Sequence, residues 1–431
     1  MSKFINHIVV GIDVSKDFHY VAILSPDGTL FKKEFKILNS SVGFCKLIEE
    51  IKIAEATFNT PSAIFMESTG IYHLSLFRYL KINSVDSYVI NPLITNSIKN
   101  KNIRKVKNDK RDAIAIAKLA KFEDIKSSNY FDPVILDLKF LTHEYKKVVD
   151  MNTSLKHKLK ADLHMLFTNY NNVFEDIFSA TSLKILKEYT TPEKILNANK
   201  KKLIQELKIT SKQDIEWANK KYNQLIELAK DSKEISMNLR SLSFKVSKLI
   251  SMIEFNNSIL SDIKKEIKSI VNSKNFPSEI KESIDLIDEI PGFDFMTSVI
   301  LIAEIGDHTR FKKAKELVAF LGIDPAVSQS GKFSATNTPM SKRGSQTGRR
   351  ALYTAALVSV RKKPDKEYYN KVLHNYYNNR PDKPKKVRLG AVMHKLVNYI
   401  FSTLKTREKF IIREPKLHVQ MYLENKSKNV A

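Results

Sequence analysis

The order of the regular elements in the first 126 residues restricts the fold more than any other feature of the sequence. Ser25-Pro-Asp-Gly28 joins two β-rich runs, and Gly28 suits the tight turn of a hairpin. The pattern predicts strands over 7–13, 18–24, 29–38, 62–66 and 87–90, and helices over 41–54, after Gly70 and over 109–122. This order, β-β-β-α-β-α-β-α, predicts a mixed sheet with an antiparallel hairpin on one side and helices covering it.

Acidic residues stand at the ends of two of these predicted strands. Asp13 ends the first strand and Glu67 follows the fourth, although burying a carboxylate without a partner is costly. If the two strands are neighbours, both carboxylates reach one edge of the sheet. Asp109 and Asp112 lie three residues apart at the start of a predicted helix, and so they share one helix face.

Four acids in one place repel one another, and hard divalent cations with oxygen ligands offset that repulsion. We therefore predict a Mg²⁺ or Mn²⁺ site formed by Asp13, Glu67, Asp109 and Asp112. Two such cations would activate a water or hydroxyl and stabilise the leaving oxygen of a phosphodiester. Taken singly, each acid has an ordinary alternative, such as a charge at a helix N-terminus that interacts with the helix dipole.

The charge balance points to a polyanionic partner. The 431 residues include 72 Lys and Arg against 47 Asp and Glu, a formal net charge of +25. A solvated surface without a partner is the alternative, and it usually carries a more balanced charge. Basic residues crowd around the last two acids, and we predict that they hold nucleic-acid phosphates: Lys99, Lys101, Arg104, Lys105, Lys107 and Arg111.

A second zone, 133–277, is almost free of Gly and Pro and predicts helices. A heptad seam within it indicates a long helix in a coiled coil. Its members are Leu225, Leu228, Ile235, Leu239, Leu242, Val246, Leu249, Ile253, Leu260, Ile263, Ile267 and Ile270. A shorter seam over 141–159 would pair with it inside one chain, or the long seam would pair between two chains.

The third zone, 278–431, is predicted to be mainly helical. Two apolar helical stretches flank Ile290-Pro-Gly-Phe293, the pattern of a helix-hairpin-helix, whose turn at Gly292 would hold a DNA phosphate. An ordinary corner between two helices is the alternative. A loop rich in Gly, Ser, Thr and Lys covers 322–348, and a helix is predicted over 349–361. The basic C-terminal tail contains tyrosines that would either stack on unpaired bases or pack as a helix face.

Several classes of protein are disfavoured. The single cysteine, Cys45, excludes an intramolecular disulfide and a Cys-rich zinc site. No signal peptide and no apolar run long enough to span a bilayer is recognised, so we expect no membrane partner. We expect a cytoplasmic, nucleoid-associated protein.

Short motifs at both ends of the chain resemble one protein family. Around the acids these are Gly11-Ile-Asp-Val-Ser-Lys16, Met66-Glu-Ser-Thr-Gly-Ile-Tyr72 and Lys107-Asn-Asp-Lys-Arg-Asp-Ala113. In the third zone they are Ile290-Pro-Gly292, Leu301-Ile-Ala-Glu-Ile-Gly306, Phe320-Leu-Gly-Ile-Asp-Pro325, Gln329-Ser-Gly331 and Ser341-Lys-Arg-Gly344. The chain thus resembles the DEDD-type insertion-sequence transposases of the IS one-ten and IS eleven-eleven groups.

The resemblance implies a fold and a mechanism. It implies an RNase H-like (RuvC-like) domain over 1–126 and a second transposase domain over 278–431, on either side of the helical coiled-coil arm that the heptad pattern predicts over 133–277. The four acids would be its metal ligands, and a serine would attack DNA to form a covalent phosphoserine. Ser330 fits best, with Ser341 and Ser328 as fallbacks, and further nucleic-acid contacts would come from Lys332, Lys342, Arg343, Arg349 and Arg350.

The resemblance also implies partners. Family members use a structured guide RNA that pairs with donor and target DNA. They act as homo-oligomers, from dimer to tetramer, in which the acids of one subunit meet the serine of another. Two other functions remain open: a junction-resolving endonuclease that uses the same acids with water, and a nucleic-acid-binding protein without catalysis. A plain resolvase has no need of the third zone, which favours the transposase.

Overall fold

The computed structural model describes residues 2–68, 70–92, 94–95, 109–124, 127–128, 132–326, 329–330, 333–334, 339–365, 367–414, 417 and 420. For 109–110, 127–128, 329–330 and 333–334 the description covers the backbone alone. The chain forms two compact units, Met1–Pro133 and Val134–Ala431. In the described part, no helix has both the length and the apolar character needed to cross a bilayer.

The first unit contains a six-stranded mixed sheet. Its strands are β1 (Ile8–Val14), β2 (Phe18–Leu24), β3 (Phe35–Leu38), β4 (Ser62–Glu67), β5 (Ser87–Ile90) and β6 (Ser127–Ser128), in the order β3-β2-β1-β4-β5-β6. Strands β1, β4 and β5 are parallel, whereas β2, β3 and β6 run antiparallel to their neighbours. The predicted mixed sheet with a hairpin on one side is therefore confirmed.

One predicted strand is shorter than expected. Within the predicted run 29–38, Leu30 forms an isolated bridge with Leu24, but the regular strand begins only at Phe35. The charged residues 32–34 separate the two segments. The hairpin turn itself forms as predicted, and Gly28 takes a φ of +90° in it.

Helices cover both faces of this sheet. Alternate residues of β1, such as Ile8 and Ile12, pack in one core with the helices Ser41–Phe58 and His73–Ile82. The intervening residues, such as Val9, pack on the opposite face with the helix Asp109–Phe122, which we call the acidic helix. Because successive side chains of a strand point to opposite faces, Asp13 belongs to the face that the acidic helix covers.

The second unit is mainly helical. Its helices are Pro133–Leu166, Ala180–Glu188, Pro192–Leu196, Lys200–Ser211, Ile215–Ser232, Arg240–Val271, Ser278–Asp288, Phe295–Ile305, Ala314–Leu321, Gln346–Ser359, Lys371–Asn378 and Lys385–Thr406. Two short strands, Gln329–Ser330 and Phe333–Ser334, form a separate antiparallel pair. The predicted helices on both sides of Pro291-Gly292 are confirmed, and the second one spans Phe295–Ile305.

The two longest helices, Pro133–Leu166 and Arg240–Val271, pack antiparallel within one chain. The Asn152 amide donates to the Asn257 side-chain oxygen over 2.8 Å. Towards one end, Lys245 Nζ lies 2.8 Å from an Asp162 carboxylate oxygen. At the other end, residues of both helices join the core formed by the C-terminal helices. The shorter seam therefore pairs with the longer one inside one chain.

The predicted single helix along the heptad seam is wrong. The seam is divided between Ile215–Ser232 and Arg240–Val271, and its members Ile235 and Leu239 are 65% and 52% exposed. Tertiary hydrogen bonds account for the interruption. The Ser232 hydroxyl donates to the Thr168 carbonyl over 3.1 Å, and the Met237 amide donates to the Met165 carbonyl over 2.8 Å.

Candidate active site

Strand pairing brings two of the predicted acids together. Strands β1 and β4 are parallel with Ile12 opposite Met66, so the following residues, Asp13 and Glu67, are neighbours at the carboxyl edge of the sheet. Both residues continue the face that packs against the acidic helix, since Val9 and Phe65 belong to that core. Glu67 is only 6% exposed, whereas Asp13 is half-buried.

A glycine brings the third acid to the same edge. A Cβ added at Gly11 would lie 2.2 Å from the Ala113 carbonyl oxygen and 2.5 Å from the Ala117 nitrogen. The backbone of the acidic helix therefore rests directly on β1, which only glycine permits. Asp112 precedes Ala113, and Asp13 lies two residues beyond Gly11. This contact places the start of the acidic helix, which includes Asp112, towards the edge where β1 and β4 end.

A buried lysine holds the opposite end of the acidic helix. Lys121 Nζ donates to the carbonyl oxygens of Ile5 and His7, both over 2.8 Å. Its side chain is fully buried, and that burial lowers the pKa of Lys121. These two bonds tie the helix to the segment that enters β1. Together with the Gly11 contact, these bonds fix both the position of the helix along β1 and its rotation about its own axis.

The fourth acid, Asp109, begins the acidic helix one turn before Asp112, but its side chain lies outside the described residues. Among the side chains that are described, no three His, Cys, Asp or Glu stand close enough to share a metal ion. The four-acid metal site therefore stays a prediction. Of the basic residues predicted beside it, Arg111 is exposed, and the others, within 99–107, lie outside the described residues.

The second unit carries the loop that contains the candidate nucleophile. The two ends of this loop form a neck, in which residues 320–326 pair with 339–345. The Ala326 amide donates to the Pro339 carbonyl over 2.7 Å, and the Lys342 amide donates to the Gly322 carbonyl over 3.0 Å. A Cβ at Gly344 would lie 2.2 Å from the Phe320 carbonyl oxygen, so the neck closes tightly.

Within this loop, Ser330 ends one short strand and pairs with Phe333 of the other. The Ser330 side chain, Ser328 and Lys332 lie outside the described residues. The fallback Ser341 belongs to the neck instead. Its hydroxyl donates to the Asp324 carboxylate over 2.6 Å, and its amide donates to the Asp324 carbonyl over 2.8 Å. This geometry ties Ser341 to the neck, and the choice of Ser330 as the nucleophile stays a prediction.

The predicted basic contacts in the neck and just after it divide into two groups. Lys342 and Arg343 are exposed. The Arg349 guanidinium instead donates to the Leu321 carbonyl over 3.0 Å, and burial lowers the pKa of Arg349. Arg350 forms an ion pair with Asp150. Arg349 and Arg350 are therefore engaged with the protein, whereas the side chains of Lys342 and Arg343 are exposed to solvent.

The predicted phosphate contact at Gly292 is not supported by the packing around it. Gly292 is buried with a φ of +109°, and a Cβ there would lie 2.7 Å from both the Ala355 carbonyl oxygen and the Ser359 Cβ. The next helix is already capped, because the Asp294 carboxylate accepts from the Thr297 amide over 2.8 Å. The turn is thus a packed corner between two helices, and we do not propose a phosphate site there.

Sequence reasoning missed one buried carboxylate, Glu304, which is 7% exposed. One of its oxygens lies 2.5 Å from His143 Nε2, and the other accepts from the Ser345 hydroxyl over 2.6 Å. Burial alone raises the pKa of Glu304, but the hydrogen bond with His143, the charge of Lys139 and the hydrogen bond from Ser345 together outweigh burial and hold that pKa below its ordinary value. A lone acid inside the apolar helix Phe295–Ile305 was the available signal, since a buried charge requires partners.

The mixed sheet, with helices on both faces and acids at the ends of neighbouring strands, is consistent with the RNase H-like class of nuclease folds. Comparison with known proteins identifies the family. A DEDD-type transposase family matches residues 10–168, and a family described as "Transposase IS116/IS110/IS902 family" matches residues 284–370. The chain belongs to the IS110 family of transposases.

Two relatives agree with this assignment. An uncharacterized 44.8 kDa protein of insertion element IS116 from Streptomyces clavuligerus is 22% identical over 374 residues, which cover 86% of this chain and 89% of that protein. The transposase for insertion sequence element IS1533 from Leptospira borgpetersenii is 31% identical over 112 residues, which cover 26% of this chain and 30% of that protein. Membership of a transposase family implies an enzyme that cleaves DNA and transfers its strands.

Proposed function

We propose that this protein is an RNA-guided DNA transposase that cuts and exchanges strands through a covalent phosphoserine intermediate, with a divalent metal ion. One observation carries the proposal. In a chain of this family, the pairing of β1 with β4 and the contact at Gly11 bring Asp13, Glu67 and Asp112 to one sheet edge. We assign residues 1–126 to the acidic domain, 133–277 to the helical arm and 278–431 to the serine-bearing domain.

The donor chemistry of the predicted ligands suits a divalent metal ion. Asp13, Glu67 and Asp112 supply hard oxygen donors, Asp109 begins the same helix as Asp112, and the low exposure of Glu67 keeps its carboxylate away from bulk water. Bound Mg²⁺ or Mn²⁺ would polarise the phosphodiester and lower the pKa of the attacking hydroxyl. The acids would hold and orient the ion. Transposases of the DEDD family are typically dependent on divalent metals.

The Ser330 hydroxyl is the proposed nucleophile. Its oxygen forms a bond to the DNA phosphorus and gives up its proton, while the bond from phosphorus to the leaving DNA oxygen breaks and that oxygen takes up a proton. A hydroxyl of the incoming strand then attacks the phosphoserine and releases Ser330. The bond energy is conserved, and no net hydrolysis occurs. By family resemblance, the acids of one subunit act with Ser330 of another.

The partners follow from the same proposal. Donor and target DNA are the substrates, and a structured guide RNA pairs with both. The net charge of +25 and the exposed cations Arg111, Lys342 and Arg343 support polyanion binding. The cations within 99–107, which precede the acidic helix in the sequence, would add to this binding. Assembly into a dimer or tetramer would supply a complete set of acids and serines.

Trapping of the covalent intermediate tests the proposal. We expect the full-length protein, purified with its nucleic acid and given a labelled duplex of its own element ends, to form a denaturant-resistant DNA adduct. Ser330→Ala should abolish the adduct, because it removes the hydroxyl oxygen that would bond to the DNA phosphorus. Ser341→Ala is the matched control and should retain it. Cleavage without any adduct would favour the junction-resolving endonuclease, in which water is the nucleophile.

A further inference from the structure

The first turn of the helix Gln346–Ser359 lies along one face of the long helix Pro133–Leu166. Three contacts, at positions 143, 146 and 150 of the long helix, make this junction. His143 reaches Ser345 through the Glu304 carboxylate, Lys146 Nζ lies 3.1 Å from the Gln346 side-chain oxygen, and Asp150 pairs with Arg350. Residues spaced by three and four share one helix face, so the contacts form a continuous strip.

Glu304 is the buried centre of this strip. Its two carboxylate oxygens bond to different elements, at 2.5 Å to His143 and at 2.6 Å from Ser345. The other two contacts are more exposed, with Arg350 at 45% and Asp150 at 49%, and exposed ion pairs contribute little. A charge-assisted hydrogen bond inside the protein is roughly twice as strong as a neutral one. The junction therefore depends mainly on Glu304.

Ser345 connects Glu304 to the loop that carries Ser330. The Ser345 amide donates to the Phe320 carbonyl over 3.2 Å, so Ser345 is the last paired residue of the neck. The Ser345 hydroxyl also accepts from the Gly348 amide over 2.9 Å and thereby caps the next helix. One hydroxyl thus donates to Glu304 and accepts from Gly348. Its position fixes the point where the loop ends and the helix begins.

We infer that Glu304 is a positioning residue for strand transfer: together with His143, it anchors the exit of the serine loop to the long helix and so fixes where Ser330 is presented. Glu304 itself touches no reacting atom. The inference rests on the proposed role of Ser330. It explains why an ionised carboxylate is retained inside an otherwise apolar helix, where an unpaired charge would be costly.

The first experiment measures amide hydrogen exchange in the full-length protein without added DNA. Glu304→Gln keeps the shape of the side chain but removes its charge, so the charge-assisted hydrogen bonds with His143 and Ser345 are lost. The neck amides of Ser341, Lys342 and Ser345 should then exchange about tenfold faster or more, as expected when a charged hydrogen bond is lost. Arg350→Ala is the matched control at the same junction and should change the exchange by less than about threefold.

The second experiment separates positioning from binding. With the labelled duplex of the element ends at saturation, Glu304→Gln should slow single-turnover adduct formation about tenfold or more, with the Kd for the duplex changed by less than about twofold. Ser345→Ala should behave in the same way, and Ser345→Thr, which keeps the hydroxyl, should recover most of the rate. If Glu304→Gln does not fold, the two Ser345 variants carry the test.

The two proposals fail in different ways. Unchanged exchange of the neck amides in Glu304→Gln and Ser345→Ala would overturn the positioning role, whatever the chemistry of Ser330. Adduct formation at the normal rate in both variants would also overturn it. An undiminished adduct in Ser330→Ala would instead overturn the proposed nucleophile, and the exchange result would still decide whether Glu304 anchors the neck.

Discussion

At the scale of single residues, Gly11 and Glu67 bear most directly on the acidic edge. Gly11 has no side chain, and the backbone of the acidic helix occupies the space where a Cβ would be. Glu67 ends β4 with a buried carboxylate beside the Asp13 position. The first residue sets where Asp112 lies, and the second supplies charge to the edge. The two can be tested separately.

Gly11→Ala should displace the acidic helix, because the new methyl group would meet backbone atoms at 2.2 and 2.5 Å. We expect the free energy of unfolding in urea to fall by about 1–3 kcal/mol and metal-dependent DNA cleavage to be lost. Gly390→Ala is the matched control, since its nearest neighbour would be the end of the Met340 side chain at 3.8 Å. Equal stability of the two variants would contradict the close packing at Gly11.

Glu67→Gln removes a charge with little change of shape. If Glu67 helps to hold Mg²⁺ or Mn²⁺, the variant should lose DNA cleavage and still bind nucleic acid, because the basic surface is unchanged. Cleavage assays over a range of Mg²⁺ concentrations, with binding measured in parallel, check this. DNA cleavage by the wild-type protein in excess chelator would count against the metal site itself.

At the scale of elements, the antiparallel pairing of Pro133–Leu166 with Arg240–Val271 combines apolar packing with polar contacts. Asp162 is 4% exposed, and its carboxylate faces Lys245, whose side chain is 57% exposed. The lysine stem covers the junction while its ammonium group neutralises the buried acid. Such a pair adds specificity to the register of two helices more than it adds stability.

Lys245→Met should leave the Asp162 carboxylate buried without its partner cation. We expect the free energy of unfolding to fall by about 1–3 kcal/mol. The double variant Asp162→Leu with Lys245→Met should regain most of that loss, since an apolar pair can replace an ion pair at such a site. Denaturant unfolding of the two single variants and the double variant measures this coupling. Additive losses would show that the two side chains do not interact.

At the scale of the whole molecule, the net charge of +25 governs how the protein meets its substrates. Each phosphate that a cation neutralises releases a counterion, and the affinity then falls linearly with salt on a logarithmic scale. Because Arg349 and Arg350 bond to the protein, the exposed Lys342 and Arg343 should carry more of this effect. The overall charge gives long-range attraction, and the exposed cations give the contacts.

DNA binding should therefore weaken at least about a hundredfold between 50 and 200 mM salt. Lys342→Ala should reduce the slope of log affinity against log salt by about one. Arg350→Ala serves as the comparison and should change the slope less, because its guanidinium already faces Asp150. Fluorescence anisotropy with a labelled duplex over a salt series gives both slopes. A flat response in the wild type would argue against phosphate neutralisation.

The sequence by itself determined the elements whose signals are local. Alternating apolar residues, the Pro-Asp-Gly turn and helical periodicity predicted five of the strands, the acidic helix over 109–122 and the helices around Pro291-Gly292. These patterns depend on side-chain spacing within one segment. The acids were found for a similar reason, since a charge at the end of an apolar strand is unusual without a partner.

The tertiary structure alone decided how these elements meet. A heptad pattern continues through 233–239, but hydrogen bonds to Met165 and Thr168, distant in sequence, end one helix and begin another. The packing around Gly292 was likewise decided by the tertiary structure, because its neighbours Ala355 and Ser359 come from a later helix. Glu304 acquired its role from His143, 161 residues away. Such contacts depend on long-range packing, which leaves no periodic trace in the segments that make them.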